Sequence, residues 1–472
     1  MQKFKRKSLY LALATAVSSV GIANTASAMN INANGLGQVL IYPYYSTRAG
    51  MDTYLSVINT TSSAKAVKVR FTEGKNSREV LDFNLYLSKN DMWTAAIVNT
   101  ANGAKLITFD KSCTSPAIPA AGKDFVNFAY VGAVVEGVAV AGGDGETGSL
   151  DRTREGYFEI IEMGVITNTA IEAAVTHVAG VPANCAVVQA SSMNMGTSGG
   201  LNQVVAPLGG LAGSASLIAV AGGTDFGYDP LVIDSFSSSN IWAAPGSILP
   251  DLTSGDPGSI VFSNGVALTN VWSSSEKAVS ALIMHNTLLN EYVLDSSTLS
   301  GTDWVVTMPT KRYFVPVEDG TINGGQFSLY QAAAPFTKAF WLNGACEPVS
   351  LSYWNREETN ISVVDFSPQP VAGTSLCWES TVVTFNNSHV LGSSNEVNVP
   401  VSFENGWLRM TFNAAGHKMI SEDSIASTFS GLPTVGFMLQ DFINQNAAPG
   451  IMATYGGNFV HKYTETITPT PQ

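Results

Sequence analysis

The sequence predicts a mostly β fold: antiparallel, sandwich-like sheets in two closely associated domains, with a few short helices. Three observations carry this expectation. Apolar and polar residues alternate at period two in several short runs. Those runs are separated by Gly- and Ser-rich stretches. Charge is sparse, 13% of residues against about 25% in ordinary soluble chains, while 45% are hydrophobic and 43 are glycine. Such a surface has to be covered by Ser, Thr, Asn and Gly, as in extracellular β proteins.

The first element is an export signal. Lys3, Lys5, Arg6 and Lys7 precede an uncharged, mostly apolar stretch from Leu9 to Ala23, and Ala26-Ser27-Ala28 follows. A basic start, an apolar run too short to span a membrane as a mature helix, and small residues at the cut predict cleavage between Ala28 and Met29. No cysteine follows the apolar run, so there is no lipoprotein signal. Removing residues 1–28 takes four positive charges from a chain of net charge -13, which gives -17. A protein this acidic is a poor partner for nucleic acid or anionic membranes. The remaining 444 residues (472 minus 28) exceed what one core usually serves. We therefore expect an N-terminal β-rich domain over 29–250 and a C-terminal one over 251–472.

The strands are taken in order. Runs at Gln38 to Tyr45 and Tyr54 to Asn59 precede the first clear hairpin. There Val67, Val69 and Phe71 alternate with Lys68 and Arg70, a turn follows at Gly74 to Ser77, and Leu81, Phe83, Leu85 and Leu87 alternate with Asp82, Asn84 and Tyr86. That pattern predicts an antiparallel pair with one buried face. Gly156 to Met163, Val279 to His285, Trp304 to Met308 and Thr381 to Phe385 are further strand candidates. Near the C-terminus Val397, Val399, Val401 and Phe403 alternate, Asn405-Gly406 follows, and Leu408, Met410 and Phe412 alternate again. A two-residue turn at Asn405-Gly406 would pair Phe403 with Leu408, Val401 with Met410 and Val399 with Phe412 on one face. Pro400 places the first of these strands at a sheet edge. One helix is expected from about Asn168, its N-cap, to Val178, with Gly180 beyond its end. Stretches from Met195 to Ser216 and from Ser235 to Ser259 are expected as long loops. The longest apolar stretch, Phe125 to Val140, contains Asn127, Gly132, Glu136 and Gly137, so no transmembrane span is expected. An outer-membrane barrel is disfavoured by the polar end Thr468 to Gln472 and by strands with a polar face.

Four cysteines, Cys113, Cys185, Cys346 and Cys377, are an even number in an exported chain. Three pairings are open. The gap between the second and third spans the domain boundary, which favours Cys113 with Cys185 and Cys346 with Cys377. There is no Cys-x-x-Cys spacing for zinc.

The segments Val39 to Tyr45 (VLIYPYY), Val67 to Leu87, Arg154 to Gly164 (REGYFEIIEMG), Thr302 to Arg312 (TDWVVTMPTKR) and Tyr455-Gly456-Gly457 resemble a family of uncharacterised exported proteins of proteobacteria. The likeness spans nearly the whole mature chain. It implies one continuous exported architecture and supplies no mechanism.

Candidate chemistry is thin. Gly196 to Gly200 has the Gly/Ser spacing of the nucleophile loop of trypsin-like proteases, but Thr197 stands where those carry Asp, and no histidine sits in the matching context. A surface loop is expected. His177, His285, His389, His417 and His461 are dispersed, without metal-site spacing, and His177 is placed as a partner for a helix C-terminus. Glu155, Glu159 and Glu162 crowd one strand, as carboxylates of a glycoside hydrolase could. Strand geometry puts only Glu155 and Glu159 on one face, so cross-strand pairing with Arg70, Lys68 or Arg152 is preferred. Asp144-Gly145-Glu146 with Asp151 offers the hard oxygens calcium takes but lacks the spaced acidic loop, so a solvated turn is expected and no cofactor is assigned. Tyr42, Tyr44, Tyr45, Trp304, Trp354 and Trp407 could stack on sugars, though core packing is the commoner role of strand aromatics. The functional expectation is a structural or interaction protein of the cell surface or extracellular matrix. Its partners would be itself, other surface components or glycans. A secreted enzyme acting on polymer, or a carbohydrate-binding module, is the alternative.

Overall fold

The structure, a computed structural model, describes residues 28–469 except 132–133, 136–137, 140–145, 193–202, 316–331, 341–343, 361–373 and 425. It is mostly β, with antiparallel sheets and few helices. In the N-terminal half the strands of the two main sheets are β1 (Asn30–Ile31), β2 (Val39–Ser46), β3 (Asp52–Asn59), β4 (Lys65–Glu73), β5 (Glu79–Leu87), β6 (Met92–Thr100), β7 (Gly103–Ile107), β8 (Cys113–Ser115) and β9 (Lys123–Asp124). They are followed by β10 (Glu155–Ile166), β11 (Leu211–Ala219), β12 (Thr224–Tyr228) and β13 (Leu231–Asp234). An eight-stranded sheet runs β1-β13-β2-β10-β4-β5-β8, with Val204–Val205 beside β10. It packs on a six-stranded sheet, β12-β11-β3-β6-β7-β9.

The expected first hairpin forms, with Val67 opposite Leu85, Val69 opposite Phe83 and Phe71 opposite Leu81. Glu73 closes its turn by accepting the backbone N–H groups of Lys75, Asn76 and Arg78. The apolar face of this hairpin meets Leu55, Val57, Trp93, Ile97 and Leu217 between the two sheets. The polar face is buried as well, which the alternation did not foresee. Lys68, Arg70 and Asn84 are covered by residues of a later segment: Asn84 donates to the Ala243 carbonyl at 2.9 Å, and Tyr157 beside them donates to the Pro309 carbonyl at 3.1 Å. Helix α1 (Thr169–Val175) starts on Asn168, whose side chain accepts from Ala170 and Ile171. The loop expected over Met195 to Ser216 ends earlier than predicted, because β11 begins at Leu211.

In the C-terminal half the strands of the two main sheets are β14 (Thr287–Val293), β15 (Gly301–Thr307), β16 (Ser350–Trp354), β17 (Ser380–Phe385), β18 (Glu396–Val399), β19 (Asn405–Thr411), β20 (Val435–Ala448), β21 (Ile451–Val460) and β22 (Lys462–Thr464). They form a five-stranded sheet, β18-β17-β15-β20-β21, and a four-stranded one, β16-β19-β14-β22. Two expectations are corrected here. Val279 to His285 is mostly helix: α2 (Cys185–Ser192) is followed by α3 (Ser275–Leu282), which buries Ala278, Val279, Ala281 and Leu282 at helical spacing. The hairpin around Asn405-Gly406 does not form. Val397 and Val399 pair in parallel with Val383 and Phe385 instead, and β19 inserts between β14 and β16. Gly406 serves close approach, since a Cβ there would lie 2.0 Å from the Trp354 carbonyl oxygen. Val399, Val401, Leu408, Met410 and Phe412 are nevertheless buried in one core, as their pattern required. That core also holds Val39, Ile41 and Ile161, so it draws on both sides of position 250.

Two disulfides join Cys113 to Cys185 and Cys346 to Cys377. The first ties edge strand β8 to the start of α2. Disulfides of this kind mark an oxidising, exported environment. No helix among the described residues is long and apolar enough to cross a membrane.

Candidate functional site

The carboxylates of β10 are each held by a cation. Glu159 meets Arg70 at 3.1 Å, and both are buried; Arg70 also holds Glu79 at 3.0 Å. Burial pushes the Glu159 carboxyl above its ordinary range, and Arg70 opposes that shift. Glu162 bonds buried Lys65 at 2.6 Å and accepts the N–H groups of Leu208 and Gly209 at 3.0 and 2.8 Å. Glu155 pairs with Arg48 at 2.6 Å and accepts Tyr44 and Ser394. Cross-strand pairing of Arg70 with Glu159 is as expected. Lys68 pairs with Asp82 and Arg152 with Glu73, rather than with β10. Glu159 and Glu162 thus tie β10 to its neighbour β4 within one sheet, while Glu155 reaches Arg48 and Ser394.

The other candidates disperse in the same way. His177, two residues past the end of α1, lies 3.6 Å from Asp91. His389 meets Glu396, and His417 meets buried Glu347, each at 2.8 to 2.9 Å. His461 sits between Asn290 and the Val305 carbonyl, and His285 bonds Thr434. No group of three or more His, Cys, Asp or Glu among the described residues could hold a metal. In the calcium candidate, Glu146 bonds Lys75 at 2.7 Å and Asp151 bonds Arg48 at 2.8 Å, while Asp144 and Gly145 lie outside the described residues. The protease-like loop at Gly196 to Gly200 also lies outside them. Ala28 is the first described residue; Met29 is buried, with its N–H on the Gly258 carbonyl and its own carbonyl accepting Ile260.

Tyr42, Tyr44, Tyr45 and Trp304 are core residues. Tyr42 stacks on Phe158 at 4.2 Å and its hydroxyl donates to the Ser56 carbonyl. Trp354 and Trp407 are half-buried and stack on each other at 4.2 Å, with the Arg409 guanidinium about equally far from both rings.

Two features of the described surface are apolar and free of charge. The outer face of the six-stranded sheet carries Tyr54, Met92 and Phe109 around a shallow groove of about 430 Å³, floored by Ala96 and the serines Ser214 and Ser216. The second feature is the hairpin β20–β21, turned by Pro449-Gly450 with Gly450 at φ +72°. Its base is core: Phe437, Met438 and Leu439 are buried. Its outer part is exposed, with Ile451 at 57%, Met452 at 53% and Tyr455 at 59%, and on β21 exposure continues to Val460 at 70%, opposite Phe437. From Phe442 to Val460 there is no charged residue, and Asp441 and Lys462 stand at either side of the run. Among the described residues β21 is the last strand of its sheet, paired only with β20. Natural edge strands are ordinarily short, charged, bulged or interrupted by proline. β21 has ten residues, no charge and no proline.

Neither a protein-family model, nor a curated protein, nor a solved structure matches this chain.

Proposed function

We propose that this chain is an exported structural or interaction protein of the cell surface or extracellular matrix, working by assembly or adhesion. The observation that carries this reading is the placement of charge. Carboxylates and cations are drawn into buried pairs, while an uncharged edge strand and an open apolar sheet face meet solvent. Edge strands add strands, and exposed apolar patches mark contact surfaces. Its partners are itself or other surface components, with glycans as a further class for the Trp354–Trp407 pair. The test is to fractionate cells for the native protein and to follow purified mature protein by sedimentation and by binding to whole cells. Recovery at the surface, with oligomers, fibres or cell-bound layers, is the expected result. A strictly monomeric protein that binds no cell surface and turns over a polysaccharide overturns it.

A further inference from the structure

We infer that β21 is a self-pairing edge: two copies of this chain join antiparallel along Ile451–Val460 about a two-fold axis at Gly456, making one ten-stranded sheet from two five-stranded ones. The inference rests on the assembly reading above and names the partner and the contact.

Electrostatics argues for where the contact falls. Two copies carrying about -17 each repel, and the approach is least opposed where neither brings charge. The hairpin from Phe442 to Val460 brings no charge of its own, and the nearest carboxylate residue on the strand behind it is Asp225 of β12. The edge also has donors and acceptors to offer, because among the described residues β21 is paired with β20 alone. Ladder bonds across it would be made between backbones, without desolvating any ion.

Side-chain sizes argue for a second copy as the occupant. Residues opposite one another in an antiparallel pair lie on the same face, so in a self-paired strand their numbers share parity. The register centred on Gly456 then opposes Tyr455 to Gly457 of the second copy, and Ala453 to its Phe459, on one face. On the other it opposes Met452 to Val460, and Thr454 to Asn458. Large meets small on the aromatic face, an arrangement that lets an aromatic ring cover a glycine in the neighbouring strand. The neighbouring register of the same parity, centred on Tyr455, sets Tyr455 against itself and Ile451 against Phe459, bulk upon bulk. The strand is thus complementary to its own two-fold image, as an isologous interface requires. The opposite face of β21 is backed by β12 of the same chain: Thr454 donates to the Gly222 carbonyl at 3.0 Å, and a Cβ at Gly456 would meet the Asp225 carbonyl oxygen at 3.0 Å. That support holds the edge in one shape before any partner arrives.

The experiment uses the full mature chain with both disulfides, followed by sedimentation velocity over a concentration series. The native chain should show a dimer of twice the monomer mass. Met452→Lys and Tyr455→Lys, at exposed positions that carry none of the fold's ion pairs, should weaken that dimer roughly tenfold or more while leaving the melting curve in place. A double variant, Ala453→Cys with Phe459→Cys, should give a covalent dimer on mild oxidation, which reports the register directly. If the native chain associates and both lysine variants associate equally well, the edge inference fails and the assembly reading stands. If the native chain is monomeric throughout yet binds cells, the second copy is the wrong occupant and the inference fails. If it is monomeric and binds nothing, both fail together.

Discussion

The interior of the eight-stranded sheet and the hairpin β20–β21 use charge in opposite ways. On β4, Lys68 and Arg70 alternate with Val67, Val69 and Phe71 as on a solvated strand, yet their face is covered and each cation is matched by a carboxylate. On β21 the residues are exposed or half-buried and none is charged. A buried ion must be paired or it is very costly, so the β4 face can be covered only with each cation beside its carboxylate on β5 or β10. An uncharged edge imposes no such demand and stays open to a partner. The same scarcity of charge, 13% of the chain, becomes more pronounced outside because part of it is drawn inside.

The largest expected effect tests the interior. Arg70→Met leaves Glu159 and part-buried Glu79 without their cation and should cost about 3–5 kcal/mol, measured by denaturant unfolding. Adding Glu159→Leu should recover most of the loss, since the burden is the unpaired charge rather than the missing attraction. A single variant as stable as the native chain would mean that water reaches this layer, and the contrast with the hairpin would dissolve.

A smaller effect concerns a carboxyl inside the second half. Asp303 accepts Leu391 N–H at 2.8 Å and Ser388 at 3.2 Å, and burial pushes it up to about 6. The folded state therefore holds this proton more tightly than the unfolded chain, whose aspartates titrate near 3.9. Its stabilising contribution is complete below about pH 4 and is lost as pH rises through 6. Asp303→Asn, neutral throughout, should gain on the native chain by up to about 3 kcal/mol between pH 4 and pH 7. Buried His285 and His461, pushed down to about 3 and about 4, act in the reverse sense. Their contribution is present above pH 6.5 and is lost on acidification, so His461→Gln should flatten the acid limb. Parallel stability–pH curves for Asp303→Asn and the native chain would remove Asp303 from this account.

Which parts were legible in the sequence follows the same division. The β4–β5 hairpin and the Arg70–Glu159 pair were readable because their partners are local or cross-strand and one face is strictly apolar. The covering of the polar face was not readable, since it depends on a segment more than 150 residues away, around Ala243 and Pro309. The hairpin expected at Asn405-Gly406 had good local chemistry and lost to longer-range pairing: Val397 and Val399 found β17, and β19 found β14 and β16. Around Val279 the apolar residues fit either period, and the helix formers Glu276, Lys277, Ala278 and Ala281 behind Ser274 were the overlooked signal. The β20–β21 hairpin escaped detection because β21 does not alternate apolar with polar residues. Its signals were Pro449-Gly450 and the uncharged run from Phe442 to Val460.

The smallest expected effect on stability is the one that separates the two regions most sharply. Met452→Lys adds an ammonium at a position 53% exposed, on a strand whose other members contribute little to either core. Surface substitutions of this kind usually stay within about 0.5 kcal/mol. Exposed lysine is moreover what natural edge strands carry to prevent pairing. Folding energy should therefore be unmoved while association is weakened, the reverse of Arg70→Met followed in the same two assays. If Met452→Lys instead lowers the unfolding free energy by 2 kcal/mol or more, the outer hairpin is part of the packed body, and β21 stands with β4 rather than against it.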